Sequence, residues 1–68
     1  MNNVGAMLYQ TIVRYAEGGE RVTQVVLPES LFADFAQDGQ TVRLMRTLGV
    51  SVTKGDVQEP DFQMGVAK

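Results

Sequence analysis

The sequence predicts a small α+β domain in which two short helices cover one face of a small sheet. Three observations lead to this class. Two β-rich runs flank Gly18-Gly19, apolar residues recur at helical spacing after Pro28, and a short β-branched run follows Gly49. The expected element order is therefore strand, strand, helix, helix, strand. The sheet is antiparallel if the helices fold back as a hairpin, and mixed if they form a crossover.

A single domain is expected over residues 6–55, since a chain of 68 residues supports one small core. Residues 1–5 are short and polar and are expected to be flexible. Residues 56–68 are expected to form an extended C-terminal arm, in which the alternation of Phe62 and Met64 would also allow a short edge strand.

The first two strands are placed at residues 6–16 and 21–27. Gly18-Gly19 lies between them, and a Gly-Gly pair predicts a tight hairpin because both residues tolerate positive φ. In the register of a two-residue loop, both faces of this hairpin are partly apolar. We therefore expect helices to cover one face and a second subunit to cover the other. The apolar side chains of one face include Tyr9, Val13, Tyr15 and Val22.

Two helices are expected to follow. Pro28 suits the first position of a helix, and Gly39 supplies its end. Residues 40–48 are compatible with a helix or a strand. The helix is favoured because Thr41 offers a cap at its start and Gly49 a stop at its end.

The composition limits the classes of function. The chain has no cysteine and no histidine, so disulfides are excluded and no soft ligand for zinc, copper or haem is present. No cofactor is expected. The formal net charge of −2 lacks the positive excess that favours non-specific phosphate binding. We expect a cytoplasmic protein without a membrane segment, and oligomerisation is the remaining route to added stability.

No catalytic site is expected. Ser30 lies at a helix start without the surrounding motif of a nucleophile elbow. Asp34 and Asp38 share a helical face, but a solvated acidic face explains this spacing. The acidic residues of segment 56–61 lack the spacing and the central glycine of a calcium loop. We therefore predict a protein that is not an enzyme.

Arg43 and Arg46 are three residues apart, so on a helix they project together. They would be able to hold a phosphate or an acidic partner. Asp34 and Asp38 on the preceding helix offer an alternative, in which opposite charges pair within or between subunits.

The stretch RVTQVVLPESLFADF, residues 21–35, resembles the beginning of a ribbon-helix-helix repressor. It has a short strand, a Leu-Pro-Glu junction and an amphipathic helix. The resemblance implies a dimer whose paired strands enter the DNA major groove, with Arg21 and Gln24 as the base-reading residues. The predicted upstream strand occupies one edge of that ribbon, and Arg21 and Gln24 fall on opposite faces. DNA binding is therefore our second hypothesis.

The first hypothesis is a small, non-enzymatic module that associates with itself and binds another protein. An accessory or inhibitory factor of the kind that phages and mobile elements encode would fit this description. The contact would use an apolar sheet face or a strand edge. The expected contact residues are Tyr9, Val13, Tyr15 and Val22, with Arg43 and Arg46 setting the choice of partner. A structural subunit of a larger assembly is a third possibility.

Overall fold

The computed structural model describes residues 1–65 and contains three helices and three strands in that part of the chain. Their order is helix, strand, helix, helix, strand, strand. The elements are α1 (Asn3–Glu17), β1 (Val22–Leu27), α2 (Glu29–Gln37), α3 (Gly39–Leu48), β2 (Ser51–Lys54) and β3 (Asp61–Met64).

The predicted α+β class is confirmed, but the predicted order is not. The strands form one mixed sheet in the order β2-β1-β3, so β1 is central. β2 runs parallel to β1, which makes α2 and α3 a crossover between them. β3 runs antiparallel along the other edge of β1. Of the two sheets that the sequence allowed, the mixed one is present.

The strand predicted at residues 6–16 is wrong, because these residues belong to α1. Val4, Leu8 and Ile12 recur every four residues and are all buried on one face of this helix. Asn2 caps its start, since the Asn2 Oδ1 accepts a hydrogen bond from the Gly5 N–H at 2.9 Å. Part of the expected flexible segment 1–5 is thus the first turn of α1.

The predicted hairpin at Gly18-Gly19 is a helix end instead. Gly19 has φ 83°, the positive value that a hairpin turn also uses. The Gly19 N–H donates to the Ala16 carbonyl at 3.0 Å, and the Glu20 N–H donates to the Tyr15 carbonyl at 2.8 Å. These two bonds are those of a Schellman motif. A hairpin turn and this helix end both require a glycine with positive φ, so the glycine pair predicted a hairpin where the structure has the end of α1.

The helix predicted at residues 40–48 is confirmed as α3. Its cap is Asp38 and not Thr41, because the Asp38 carboxylate accepts a hydrogen bond from the Thr41 N–H at 3.3 Å. Gly49 ends the helix in the left-handed region, with φ 74°. The following N–H, of Val50, donates to the Met45 carbonyl at 2.9 Å, as predicted from the Gly49 stop.

The core lies between the sheet and the three helices. Val25 pairs with Val52 on one side and with Phe62 on the other, so all three side chains point to the same face. That face packs on the helices, since Val25 is fully buried and the Phe62 ring contacts Tyr15. The buried apolar residues are Val4, Leu8, Ile12, Val22, Val25, Leu27, Phe35, Met45 and Val50.

The opposite face of the sheet carries mainly polar side chains. By register and strand alternation it presents Gln24, Val26, Ser51, Thr53, Asp61 and Gln63. A polar face needs no cover. The expectation that a second subunit covers an apolar sheet face therefore loses its basis.

The expected C-terminal arm contains the edge strand β3, which pairs with β1 through a bulge at Thr23. The last part of the arm, residues 66–68, lies outside the described residues. Within residues 1–65, no helix combines the length and the apolar character needed to cross a membrane.

Candidate interaction surface

Exposed large apolar side chains lie on or beside α1 and α3. Among residues 1–65, four large apolar residues are exposed: Met1 at 52%, Tyr9 at 43%, Val13 at 36% and Leu48 at 39%. Tyr9 and Val13 lie on α1, Leu48 lies on α3, and the Met1 side chain borders a hollow on α3. We call this region the α1–α3 surface. Large apolar side chains grouped in this way are typical of contact sites.

A groove lies between the last turns of α1 and α3, beside Leu48. Tyr9, Val13 and Ala16 form one stripe along α1, at the i, i+4 and i+7 spacing of a helix. Ala16 also lines a hollow of about 360 Å³, whose opposite wall is Leu48. Ile12, deeper in α1, forms part of the same lining. The lining of this α1–α3 groove is mainly apolar, and the charged residues Glu20 and Arg21 also border it.

The groove is closed at one end by Gly5. A methyl group at Gly5 would overlap the Oγ1 of Thr41 and the side chain of Met1, so the start of α1 lies directly against the start of α3. At the far end of the two helices, the hollow between Ile12 and Leu48 separates them. The two helices are thus in contact near Gly5 and are separated by the hollow near Ile12 and Leu48.

A hydrogen-bond network fixes the closed end. The Asp38 Oδ2 accepts from the Asn2 N–H and from the Thr41 hydroxyl, both at 2.7 Å. The Asn2 side chain donates from its Nδ2 to the Asp34 carbonyl at 2.9 Å. The amino group of Met1 donates to the Gln40 Oε1 at 3.0 Å. The start of α1 is therefore anchored to the α2–α3 junction.

These donors stabilise the ionised form of Asp38. The Thr41 hydroxyl, and after it the Asn2 N–H, lower the pKa of the carboxyl group from its ordinary value of 3.8 to about 2. The sequence offers Asp34 and Asp38 as partners for the arginines of α3. Asp38 is instead engaged by Asn2 and Thr41, so its role is to join helix ends.

The predicted contact residues divide into two pairs. Tyr9 and Val13 are exposed, as a contact site requires, although they lie on a helix and not on a strand. Tyr15 is half-buried, and its ring centroid lies 6.0 Å from that of Phe62. Val22 is buried in the core. Val22 therefore belongs to the core and is not available to a partner, whereas Tyr15 packs against the sheet and keeps part of its surface exposed.

Arg43 and Arg46 are both exposed on α3, but they border different hollows. Arg43 lies beside Met1 and Leu44, whereas Arg46 lies beside Phe35 on the side of the sheet edge. The structure thus gives each arginine a separate environment.

The residues proposed to read DNA lie at the central strand. Both edges of β1 are paired within the chain, with β2 and with β3. A ribbon formed with a second copy would have to displace one of these strands. Arg21 is exposed just before β1, with its guanidinium near Gly49, while Gln24 is half-buried on the polar face of the sheet. The two residues do not form one reading surface.

Leu48, Ala16 and Met1 were missed as surface residues. A helical reading of residues 3–17 would have found the stripe that contains Ala16, since Tyr9 and Val13 already showed its spacing. The position of Leu48 opposite this stripe depends on how α3 crosses α1, which the sequence pattern does not specify.

Within residues 1–65, no group of three or more acidic, histidine or cysteine side chains is placed to hold a metal ion. Comparison of the chain with protein-family models, with curated proteins and with solved structures gives no match.

Proposed function

We propose that this protein is a small, non-enzymatic interaction module that pairs with a second copy of itself through the α1–α3 surface. The observation that carries the proposal is the exposure of Met1, Tyr9, Val13 and Leu48 on or beside α1 and α3. Elsewhere in residues 1–65, large apolar side chains are at least half-buried.

Self-association is favoured by the size of the chain as well. A domain this small buries about 60% of its unfolded surface, so its core gives limited stability. Pairing two copies would bury the α1 stripe and the groove wall formed by Leu48. Burial of apolar surface is the main favourable term in most association reactions.

The paired module would act by binding another protein. Its chemistry favours binding over catalysis, since the chain lacks histidine and cysteine and the Asp38 carboxylate is engaged in a structural network. An accessory or inhibitory factor fits these properties. The DNA-binding alternative is weaker, because β1, the strand that resembles the ribbon of a repressor, is paired on both edges.

The test is sedimentation equilibrium of the wild type and of two matched variants. Val13→Asp places a charge on the α1 stripe, and Ala33→Asp places the same charge on an exposed position of α2. We expect the wild type to dimerise at micromolar concentration, Ala33→Asp to behave like it, and Val13→Asp to sediment as a folded monomer. A wild type that remains monomeric throughout this range, with a cooperative melt, would overturn the proposal.

A further inference from the structure

A second groove lies along the outer edge of β2. It is a hollow of about 390 Å³ whose lining comes from α2, α3, β2 and the turn that joins α3 to β2. None of its lining residues belongs to β1 or β3. Since β2 is an edge strand, this β2-edge groove lies at the border of the sheet and not over its centre.

The backbone of β2 offers free hydrogen-bonding groups on this border. The Gly55 N–H donates to the Leu27 carbonyl of β1 at 3.0 Å. Because the N–H and C=O groups of a strand alternate in direction, those of Thr53 also point towards β1, in agreement with its pairing to Val26. The N–H and C=O groups of Val52 and Lys54 therefore point away from the sheet. Unpaired N–H and C=O groups along the edge of a sheet can form hydrogen bonds with an added strand.

Part of the groove wall is apolar. The Val52 side chain shares the helix face with Val25, and with Val42 and Phe35 it contributes to the lining. Val42 and Val52 are each half-buried. A strand added to β2 would point alternate side chains to this face, so one of them would enter the recess.

One end of the groove is positively charged. Arg46 is exposed and belongs to the lining. Gly49 also lines this groove, and the guanidinium of Arg21, which lines the α1–α3 groove, lies 3.8 Å from the Cβ position of that glycine. The Arg46 guanidinium in the lining matches a carboxylate on the occupant of the groove, since arginine forms strong charge-assisted hydrogen bonds with carboxylates.

From this geometry we infer that β2 binds an extended segment of another protein as a fourth strand. The segment inserts an apolar side chain between Phe35 and Val42 and places a carboxylate beside Arg46. Strand addition of this kind obtains affinity from the backbone and specificity from alternate side chains. The inference goes beyond self-association, because the β2-edge groove does not include the α1–α3 surface.

The experiment uses the full chain and two pools of synthetic, C-terminally amidated heptapeptides. In both pools threonine alternates with valine, isoleucine or leucine; one pool ends in glutamate and the other in lysine. We expect immobilised protein to retain the glutamate pool preferentially. The strongest retained peptide should shift the backbone amide NMR signals of Val52 and Lys54 and leave those of Tyr9 and Val13 unchanged.

Three variants test the residues. Arg46→Gln should weaken the retained peptide about tenfold or more, since a hydrogen bond to a charged group contributes roughly 1.5–3 kcal/mol. Arg43→Gln is the matched control, because it also removes an arginine charge from α3, but beside a different hollow. This variant should bind the retained peptide as tightly as the wild type does. Val52→Pro removes an outward N–H and should abolish binding in a chain that still melts cooperatively. A purely structural role of Arg46 at the end of α3 would lower the melting temperature without changing the preference between pools.

The inference is overturned if neither pool binds at millimolar concentration, or if the lysine pool binds as well as the glutamate pool. It is also overturned if the Val52 and Lys54 signals shift with protein concentration alone, because a second copy would then occupy the edge. Sedimentation of the same samples reports self-association separately. Failure at the β2 edge and failure of the proposed dimer are therefore distinguishable.

Discussion

Gly5→Ala tests the close contact between α1 and α3 that shapes the groove. The added methyl group would overlap the Thr41 Oγ1, and Thr41 is fully buried, so this side chain has no open space into which to move. Overpacking of this kind costs up to about 3 kcal/mol. Alanine recovers about 1 kcal/mol because it favours the helix more than glycine does. We therefore expect a net loss of about 2 kcal/mol in the free energy of unfolding.

For a domain of this size, that loss lowers the melting temperature by about 8–16 °C. Thermal unfolding followed by circular dichroism measures it directly. Gly39→Ala is the control, because Gly39 also lies in a helix but has no atom within 4 Å of its Cβ position. Gly39→Ala should leave the free energy of unfolding unchanged or raise it slightly. In a double-mutant cycle, Thr41→Ala should reduce the cost of Gly5→Ala by removing the overlapping atom. A Gly5→Ala protein as stable as the wild type would refute the close contact.

Three further predictions concern single side chains. Because the pKa of Asp38 is lowered from 3.8 to about 2, the ionised carboxylate stabilises the fold fully above about pH 4, and this contribution is lost as the pH falls towards 2. The urea midpoint of Asp38→Asn should therefore depend less on pH between 4 and 2 than that of the wild type. An equal pH dependence of the two midpoints would contradict the Asp38 network. Tyr9→Ala should weaken dimerisation about 30-fold in sedimentation, since a symmetric dimer loses two partly exposed rings at about 1 kcal/mol each; an unchanged dissociation constant would place the interface elsewhere. Gly19→Ala should cost about 1 kcal/mol in denaturant unfolding because Gly19 has positive φ, whereas Gly18→Ala, at φ −85°, should cost little.

The elements between Arg21 and Lys54 were predictable because their ends are marked in the sequence. Pro28 introduces α2, Gly49 ends α3, and β-branched residues fill β1 and β2. The parallel direction of β2 was left open, since local pattern does not determine whether two helices cross over the sheet or return beside it.

The first helix was not predicted, for a physical reason. A glycine with positive φ is required both by a hairpin turn and by a Schellman helix end, so Gly18-Gly19 alone does not distinguish them. The four-residue spacing of Val4, Leu8 and Ile12 does distinguish them, because a strand would need a spacing of two.

The candidate site was predicted only in part. Tyr9 and Val13 were chosen as exposed apolar residues and are exposed, but the face expected to unite them with Tyr15 and Val22 does not exist. Their neighbour across the groove, Leu48, lies far away in the sequence. Proximity of this kind depends on the packing of α1 against α3, which local periodicity does not encode.

The central position of β1 has a consequence for folding kinetics. Its partners are distant in the sequence, since Gln24 pairs with Ser51 on one side and with Gln63 on the other. A hairpin at Gly18-Gly19 would have given the chain an early local pairing, but in residues 1–65 every pairing of the sheet is long-range. Each ladder must close a large loop before it gains hydrogen bonds, so the sheet should form late, around helices that can begin to form locally. Until then β1 presents two unpaired edges, and intermolecular pairing during refolding competes with β2 and β3.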